Sequence, residues 1–359
     1  MKLIIQPGDG VDRLIKGIRK AKKSVEIMIF RLDREEIERA LIDAVERGLF
    51  VHALIAFTNR GGEDKLRKLE MHFLASGVTV ARTAGDLVRY HGKMMIVDRK
   101  ELYVLSFNFT HLDIDRSRGF GLVTRNPKLV AEAVRLFEAD TKRQVYTPGH
   151  HNFVVSPVNA RRELTRFIKG AKKELLIYDP KISDKPMLRL LQERRRAGVD
   201  VRVLGCVSGD RLPVYELKRM RLHTRTIIRD RSQAFLGSQS LRHLELDGRR
   251  EIGVIFRDAS IIKDIVRVFE EDWAASAPAQ QEENQEGTPP KKALKKVARK
   301  VAKKIALAPV AKKVARVIGK QANVDLDKKQ IHETVKDLVE DIVKEAAEQA
   351  TVEAAKTVA

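Results

Sequence analysis

Two stretches of the chain place an imidazole two residues before a basic side chain. They are Tyr90-His91-Gly92-Lys93-Met94-Met95-Ile96-Val97-Asp98 and, 132 residues later, Leu222-His223-Thr224-Arg225-Thr226-Ile227-Ile228-Arg229-Asp230. Because side chains alternate between the two faces of a strand, His91 and Lys93 are predicted to point the same way. An imidazole can act as a nucleophile or carry a proton, and a cation beside it can hold an anion. Two copies of the pattern predict one site built from two halves.

The surroundings of the two stretches repeat as well, which indicates an internal duplication. Downstream of each histidine the offset stays at 132, so that Val134-Arg135-Leu136-Phe137-Glu138 matches Val266-Arg267-Val268-Phe269-Glu270. Upstream the offset is 150, and Ala21-Lys22-Lys23 matches Ala171-Lys172-Lys173. The difference is an 18-residue excess in the first half, between Ala56 and Tyr90.

Each half is predicted to follow the same order of elements. A basic helix (about 11–22 and 160–172) precedes an apolar strand (24–30 and 174–178), a second helix (34–47 and 185–197) and a second strand (49–57 and 199–206). The motif strand, two more strands and a closing helix complete the unit. Strands that alternate with helices are typical of α/β proteins. We therefore predict two lobes, residues 1–147 and 148–275, each a largely parallel sheet flanked by helices.

These residues resemble the phospholipase D superfamily, whose members carry paired His-x-Lys-x4-Asp (HKD) motifs, and within it the cardiolipin and phosphatidylserine synthases. The resemblance covers about residues 1 to 275. The family's Gly-Ser-x-Asn motif corresponds to Leu105-Ser106-Phe107-Asn108 and to Gly237-Ser238-Gln239-Ser240. The acidic residue that the family carries about 28 positions after the histidine is Glu251 in the second half, whereas Gly119 stands there in the first.

The resemblance implies a phosphodiester reaction in two steps that needs neither a metal nor another cofactor. One histidine attacks phosphorus and becomes a phosphohistidine, the other protonates the leaving alcohol, and water or a second alcohol then displaces the enzyme. We assign the attack to His91, whose own half also supplies Lys93, Ser106 and Asn108, and the acid role to His223. The implied phosphate-binding residues are Lys93, Arg225, Ser106, Asn108 and Ser238. The implied supporting residues are Asp98, Asp230 and Glu251.

Each half departs from the family pattern at different positions. Arg225 keeps the charge of the usual lysine but presents a planar fork instead of a point charge. Gly119 removes a carboxylate that would orient one imidazole, and Ser240 and Leu105 stand where asparagine and glycine are usual. Two interpretations follow, an active enzyme or a catalytically degenerate scaffold that binds anionic phosphates.

The composition places the chain in a reducing compartment. Cys206 is the single cysteine, which rules out a disulfide framework within the monomer. The apolar run at the N-terminus is too short for a signal peptide, and no segment approaches 18 uncharged apolar residues. His150 and His151 lack carboxylate or thiol neighbours that would make a metal site. A cytoplasmic protein is expected, peripheral at most at the inner face of the membrane and with a site completed within one chain.

The C-terminal part of the sequence has a different composition. Residues 276–290 read as a flexible linker, and residues 291–320 contain twelve basic residues and no acidic one. Residues 321–359 carry nine acidic residues and five lysines. Aliphatic residues at helical spacing predict a basic and then an acidic amphipathic helix. Such a tail could bind an anionic bilayer or nucleic-acid phosphates. Alternatively, the basic and acidic helices pair with each other.

Three functions fit the chain as a whole. The first is a phospholipase D or phosphatidyltransferase that acts on phospholipids, the second is a nuclease or phosphodiesterase on nucleic acid, and the third is the phosphate-binding scaffold. Proteins that bind single strands usually interleave aromatic side chains for base stacking. Aromatic residues make up 5% of this chain and none lies between residues 291 and 359, which favours phospholipid.

Overall fold

The computed structural model describes residues 1–57, 63–208 and 212–278. All of these residues belong to one compact unit, Met1–Gln281. The predicted tail, residues 291–359, and all but the first three residues of the predicted linker lie outside the described residues. The lobe boundary at residues 147 and 148 stays a prediction.

The two halves of the described chain contain matching series of elements. The first half comprises β1 (Lys2–Gln6), α1 (Asp12–Lys20), β2 (Ser24–Ile29), α2 (Glu35–Glu46), β3 (Phe50–Ile55), α3 (Glu63–Ala75), β4 (Thr79–Arg82), β5 (Arg89–Tyr90), β6 (Met94–Val97), β7 (Glu101–Leu105), α4 (His111–Asp115), β8 (Ser117–Thr124) and α5 (Pro127–Lys142). The second comprises β9 (Phe153–Val155), α6 (Ala160–Lys169), β10 (Glu174–Ile182), α7 (Lys185–Arg196), β11 (Asp200–Val207), β12 (Val214–Glu216), β13 (Arg221–Leu222), β14 (Arg225–Arg229), β15 (Gln233–Gly237), α8 (His243–Asp247), β16 (Arg249–Arg250), β17 (Ile252–Phe256), α9 (Ala259–Ala274) and β18 (Ala277–Pro278). Helix α3 lies within the stretch where the sequence shows its 18-residue excess.

The α/β class, the flanking helices and the two lobes are confirmed, but the prediction of largely parallel sheets is wrong. The first sheet has the order β1-β8-β7-β6-β2-β3-β4 and the second β18-β12-β11-β10-β14-β15-β17-β9. Within each half, parallel pairing is confined to β2-β3-β4 and to β10-β11-β12. Strands β6 and β7 pair antiparallel because a short turn joins them, and β7 and β8 pair antiparallel across the segment that contains α4. A parallel neighbour needs a longer crossover connection.

The turn between β6 and β7 explains the aspartate of the first motif. Asp98 and Arg99 both have a φ of 53°, a left-handed conformation that short polar side chains tolerate better than most. The Asp98 carboxylate accepts hydrogen bonds from the backbone N–H groups of Lys22, Lys23 and Ser24, at 2.7 to 3.1 Å. Asp230 makes the matching contacts in the second half. Both aspartates therefore lie at the end of the motif strand opposite to the histidine, and they anchor the start of the neighbouring strand.

We expect Asp98→Ala to lower the free energy of unfolding by about 2 to 4 kcal/mol, because it removes charge-assisted hydrogen bonds and places alanine in a left-handed turn. Burial opposes ionisation of Asp98, but the three N–H groups outweigh it and lower its pKa below the usual value. A lowered pKa contributes stability that is present above pH 3.8 and is lost as the pH falls through the folded-state pKa. Urea unfolding at pH 7 and pH 3 measures this; Asp98→Asn, which tolerates the turn, is the control. Equal stability of wild type and Asp98→Ala at pH 7 would contradict the anchoring role.

Apolar side chains form three layers, and the inner one joins the two halves. The outer face of the first sheet packs on α1, α2 and α3, and the outer face of the second packs on α6 and α7. The inner faces of both sheets pack against α5, α9 and each other. Strand β6 contributes to two layers, with Met94 and Ile96 facing inward and Met95 and Val97 facing outward. Within the described residues, no helix is long and apolar enough to cross a bilayer.

Two short strand pairs connect the halves directly. Strand β5 of the first half pairs with β16 of the second, and β13 of the second half pairs with β8 of the first. Each of the two motif histidines follows one of these strands, at residues 91 and 223. The exchange thus brings each histidine next to backbone from the other half.

Candidate active site

His91 lies in a buried contact with groups from both halves. Its backbone N–H donates to the carbonyl oxygen of Arg250 at 2.7 Å, and its side chain is 7% exposed. The ring Nδ1 lies 2.9 and 3.0 Å from the two carboxylate oxygens of Glu251, which is 0% exposed. On the opposite side of the ring, Lys93 Nζ lies 2.8 Å from Nε2. The prediction that His91 and Lys93 point the same way is therefore confirmed.

These contacts assign a tautomer to the His91 ring. A carboxylate can only accept, so Nδ1–H donates to Glu251 and Nε2 keeps a lone pair that accepts from Lys93. Burial lowers the pKa of His91, and the charges of Lys93 and Arg225 lower it further. Burial also lowers the pKa of Lys93, against the opposing charge of Glu251. The site thus presents a neutral imidazole whose Nε2 retains its electron pair, which is the form that can attack.

His223 has a different environment from His91. The backbone N–H of His223 donates to the carbonyl oxygen of Arg118 at 3.0 Å, as the backbone N–H of His91 does to Arg250. No described residue hydrogen-bonds to its buried Nδ1. Its Nε2 lies 3.5 Å from the carboxylate of Asp113, a residue absent from the sequence prediction. Burial lowers the pKa of His223, while Asp113 opposes that shift.

The two predicted phosphate-binding cations occupy equivalent places. Lys93 Nζ donates to the carbonyl oxygen of His91 at 2.7 Å, and Arg225 Nη1 donates to that of His223 at 2.5 Å. Arg225 Nε also contacts the Ser240 hydroxyl at 3.3 Å. Each cation lowers the pKa of both histidines, so all four groups share one electrostatic environment. This arrangement can hold an anion between two imidazoles.

The remaining predicted site residues make mostly structural contacts. The hydroxyls of Ser106 and Ser238 accept from the backbone N–H groups of Phe120 and Ile252, at 2.9 and 3.1 Å. The Ser238 hydroxyl also donates to the carbonyl oxygen of Ile252 at 3.4 Å. The Asn108 side-chain amide donates to Asp113 at 2.7 Å. Phosphate binding by these three residues stays a prediction, and the contacts in the structure position the loops that carry the carboxylates.

Two pairs of buried charges that the sequence reasoning missed fix the backbone beside the histidines. Arg118 forms a bidentate ion pair with Asp272 at 2.7 and 2.9 Å, and Arg250 pairs with Asp140 at 3.0 Å. Both pairs join one half to the other. Burial raises the pKa of Asp140 to about 6, against the opposing charge of Arg250. The sequence contains a signal for these pairs, because Arg118 and Arg250, like Asp140 and Asp272, are separated by the 132-residue offset of the duplication.

One cluster of possible metal ligands occurs in the described residues, although the sequence predicted none. Ligand atoms of Asp184, His243 and Asp247 lie within 4.8 Å of one another. The guanidinium of Arg161 donates to both carboxylates. In the first half, Arg34 stands in the place of Asp184 and pairs with Asp115. A protein cation therefore balances each cluster, and both act as ion-pair networks.

The family model of the cardiolipin synthase, phospholipase D-like domain matches residues 14–141 and 164–273, which is one segment in each half. The chain belongs to this family. Minor cardiolipin synthase ClsB of Bacillus subtilis is 21% identical over 325 residues, 77% of this chain and 82% of its own length. Mitochondrial cardiolipin hydrolase of Danio rerio is 27% identical over 135 residues, which cover 35% of this chain and only 56% of the hydrolase.

Solved structures agree with this assignment at the level of fold. Phosphatidylserine synthase of Haemophilus influenzae superposes with a TM-score of 0.63 at 13% identity, covering 82% of this chain and 91% of its own. Polyphosphate kinase of Porphyromonas gingivalis gives 0.65 at 17% identity, covering 80% of this chain and 53% of its own. At family level, the cardiolipin synthase-like domain supports transfer or hydrolysis at a phospholipid phosphodiester.

Proposed function

We propose that this protein is a phospholipid phosphodiesterase or phosphatidyltransferase that works through a phosphohistidine on His91. The observation that carries the proposal is the His91 ring, held between Glu251 at Nδ1 and Lys93 at Nε2 in a buried site. Only a histidine with an accessible lone pair can attack phosphorus. A bound phosphodiester displaces the Lys93 contact, favours the charged form of that lysine and exposes Nε2 to phosphorus.

In the first step, Nε2 of His91 forms a bond to phosphorus as the bond from phosphorus to the leaving oxygen breaks. His223 gives its proton to that oxygen, and the alcohol departs. Lys93 and Arg225 balance the charge that develops on the phosphoryl oxygens. In the second step, water or an acceptor alcohol loses its proton to His223 and attacks phosphorus, and the electron pair of the phosphorus–nitrogen bond returns to Nε2.

The choice of phospholipid rests on the family and on a relative that matches most of the chain. The match to a cardiolipin synthase extends over 77% of this chain. Residues 1–290 carry a net charge of +13, out of +21 for the whole chain. This positive charge suits an anionic lipid surface. The two histidines do not select between water and an alcohol as the acceptor. The outcome depends on which of the two molecules reaches the phosphohistidine.

To test this, purified protein is incubated with vesicles of labelled phosphatidylglycerol or phosphatidylcholine. Parallel reactions contain single-stranded or double-stranded DNA, and all reactions contain excess chelator. We expect headgroup release or cardiolipin formation, at a rate that the chelator leaves unchanged because the site uses two imidazoles and no metal. Free glycerol with phosphatidic acid indicates a hydrolase, and glycerol with cardiolipin a transferase. Cleavage of DNA without lipid turnover would replace the proposal with a nuclease.

A further inference from the structure

The carboxylate that orients His91 has no counterpart at the equivalent position beside His223. Gly119 stands at that place, and a Cβ there would lie 3.0 Å from the Phe107 ring and 3.2 Å from the Phe107 Cβ. The packing of the first half therefore leaves little room for a glutamate side chain. As a result, Nδ1 of His223 has no hydrogen-bond partner in the described part of the chain. If both histidines work, the second needs support from elsewhere.

Asp113 supplies a fixed negative charge on the other side of the His223 ring. It lies in α4, is 2% exposed, and its Oδ2 is 3.5 Å from His223 Nε2. Three further contacts hold the carboxylate in place. Oδ1 accepts from Arg221 at 2.6 Å, and Oδ2 accepts from the backbone N–H and the side-chain amide of Asn108 at 2.8 and 2.7 Å. The carboxylate cannot turn away from the ring without breaking them.

The duplicated position has no such role. Glu245 corresponds to Asp113 at the 132-residue offset and is equally buried. Its carboxylate accepts from the Ser240 backbone N–H at 2.7 Å and contacts Arg249 at 3.4 Å. The structure gives it no contact within ion-pair distance of either histidine in the described residues. The contact to the ring is thus a property of Asp113 alone.

We propose that Asp113 is the positioning residue of His223, and that its charge favours the protonated form of this ring, which the role as the acid requires. The proposal rests on the proposed function. At 3.5 Å the contact is longer than a normal hydrogen bond, so the charge stabilises the imidazolium while the Nε2 proton stays free for the leaving oxygen. Burial lowers the pKa of His223, and three cations that face it in the described residues lower it further: Arg221 on β13, Arg225 on β14 and Lys93 before β6. Asp113 opposes these effects in part.

Asp113→Asn removes the charge and keeps the size. Histidine NMR, with the His223 signal assigned by its absence in His223→Gln, should show the imidazole titrating about 1 to 3 pH units lower than in wild type. In vesicle turnover, the high-pH limb that requires protonated His223 should move to lower pH by the same amount, so the loss of activity is greatest on that limb. Asp113→Glu should restore part of the shift. Glu245→Gln, the matched control, should leave the titration of His223 in place.

An unshifted titration of His223 in folded Asp113→Asn would overturn the proposal. A shifted titration in a protein that turns over no phospholipid would support the positioning role and count against the proposed function alone. Because Asp113→Asn also removes an ion-pair partner of Arg221, the double variant Asp113→Asn/Arg221→Gln is the second test. It removes a carboxylate and a cation together, and a His223 titration lower than in Arg221→Gln alone supports the proposal, whereas an equal one overturns it.

Discussion

His91→Ala should abolish turnover, whereas His223→Ala should slow both steps on a phospholipid and stop after the first step on a substrate whose leaving group needs no acid. The first variant removes the atom that bonds to phosphorus, and a loss of about 10⁴-fold to 10⁶-fold is expected for a nucleophile that acts as part of a unit. The second removes an acid and base, for which about 10²-fold to 10⁴-fold is usual. The two losses therefore differ in kind as well as in size.

A substrate with an activated leaving group separates the two roles. A p-nitrophenyl phosphodiester releases its alcohol without help from an acid, so His223→Ala should form the phosphohistidine and then fail to discharge it. Mass spectrometry of the quenched, digested protein should find phosphate on His91. Wild type should show less of the adduct, because His223 activates water in the second step. His151→Ala changes an exposed histidine outside the site and is the matched control.

Phosphate on His223, with none on His91, would reverse the assignment of nucleophile and acid. Turnover without an adduct in any variant would contradict the covalent mechanism. A protein that binds phosphodiesters but neither turns them over nor forms an adduct would be the phosphate-binding scaffold that the substitutions at Gly119 and Arg225 first suggested.

Much of the fold was predictable because each half carries its own periodic signals. The motif strand follows from an apolar run that is buried on both faces, and the structure places it at Met94–Val97. The closing helices follow from matching sequences at the 132-residue offset, at Pro127–Lys142 and Ala259–Ala274. The antiparallel pairing was missed, because apolar runs locate strands without stating their direction. Turn chemistry at Asp98 and Asp230 was the signal that could have corrected it.

The exchange of strands between halves lay beyond sequence reasoning. Strands β5, β13 and β16 are two residues long, so no alternation of apolar and polar side chains identifies them. Without knowledge of this exchange, the partner of Glu251 cannot be identified. The sequence predicts only a supporting role for Glu251, whereas in the structure its carboxylate contacts a histidine 160 residues away. Asp113 was missed for another reason. Its position matters only because Gly119 and Phe107 exclude a carboxylate from the usual place.

The ion pair between Arg118 and Asp272 should be the most costly charged contact to break. It lies between the halves, it is bidentate, and the two residues are 9% and 6% exposed. Removing one member of a buried pair strands the other, at a cost of about 3 to 5 kcal/mol. We expect Asp272→Ala to lower the melting temperature by roughly 6 to 20 °C, at about 2 to 4 °C per kcal/mol for a domain of this size.

Asp272→Ala should also displace His223 under conditions in which the protein is still folded. The carbonyl oxygen of Arg118 accepts the N–H groups of both His223 and Thr224, at 3.0 and 2.9 Å. A stranded guanidinium that moves toward water displaces this part of the backbone and with it the imidazole. Vesicle turnover measured well below the melting temperature should therefore fall, while His91 keeps its contacts to Glu251 and Lys93.

Two controls separate the stranded charge from other causes. Glu271→Ala alters the neighbouring residue on α9, whose ion pair with Arg267 is 60% and 57% exposed, and it should cost less than about 1 kcal/mol. The double variant Arg118→Met/Asp272→Leu removes both charges and keeps apolar bulk, so it should recover most of the stability that Asp272→Ala loses. Calorimetry that finds the double variant no more stable than Asp272→Ala would show that lost packing, and not an uncompensated charge, accounts for the cost. In that case the arginine would hold the His223 backbone by its volume, and Arg118→Met alone should leave turnover intact.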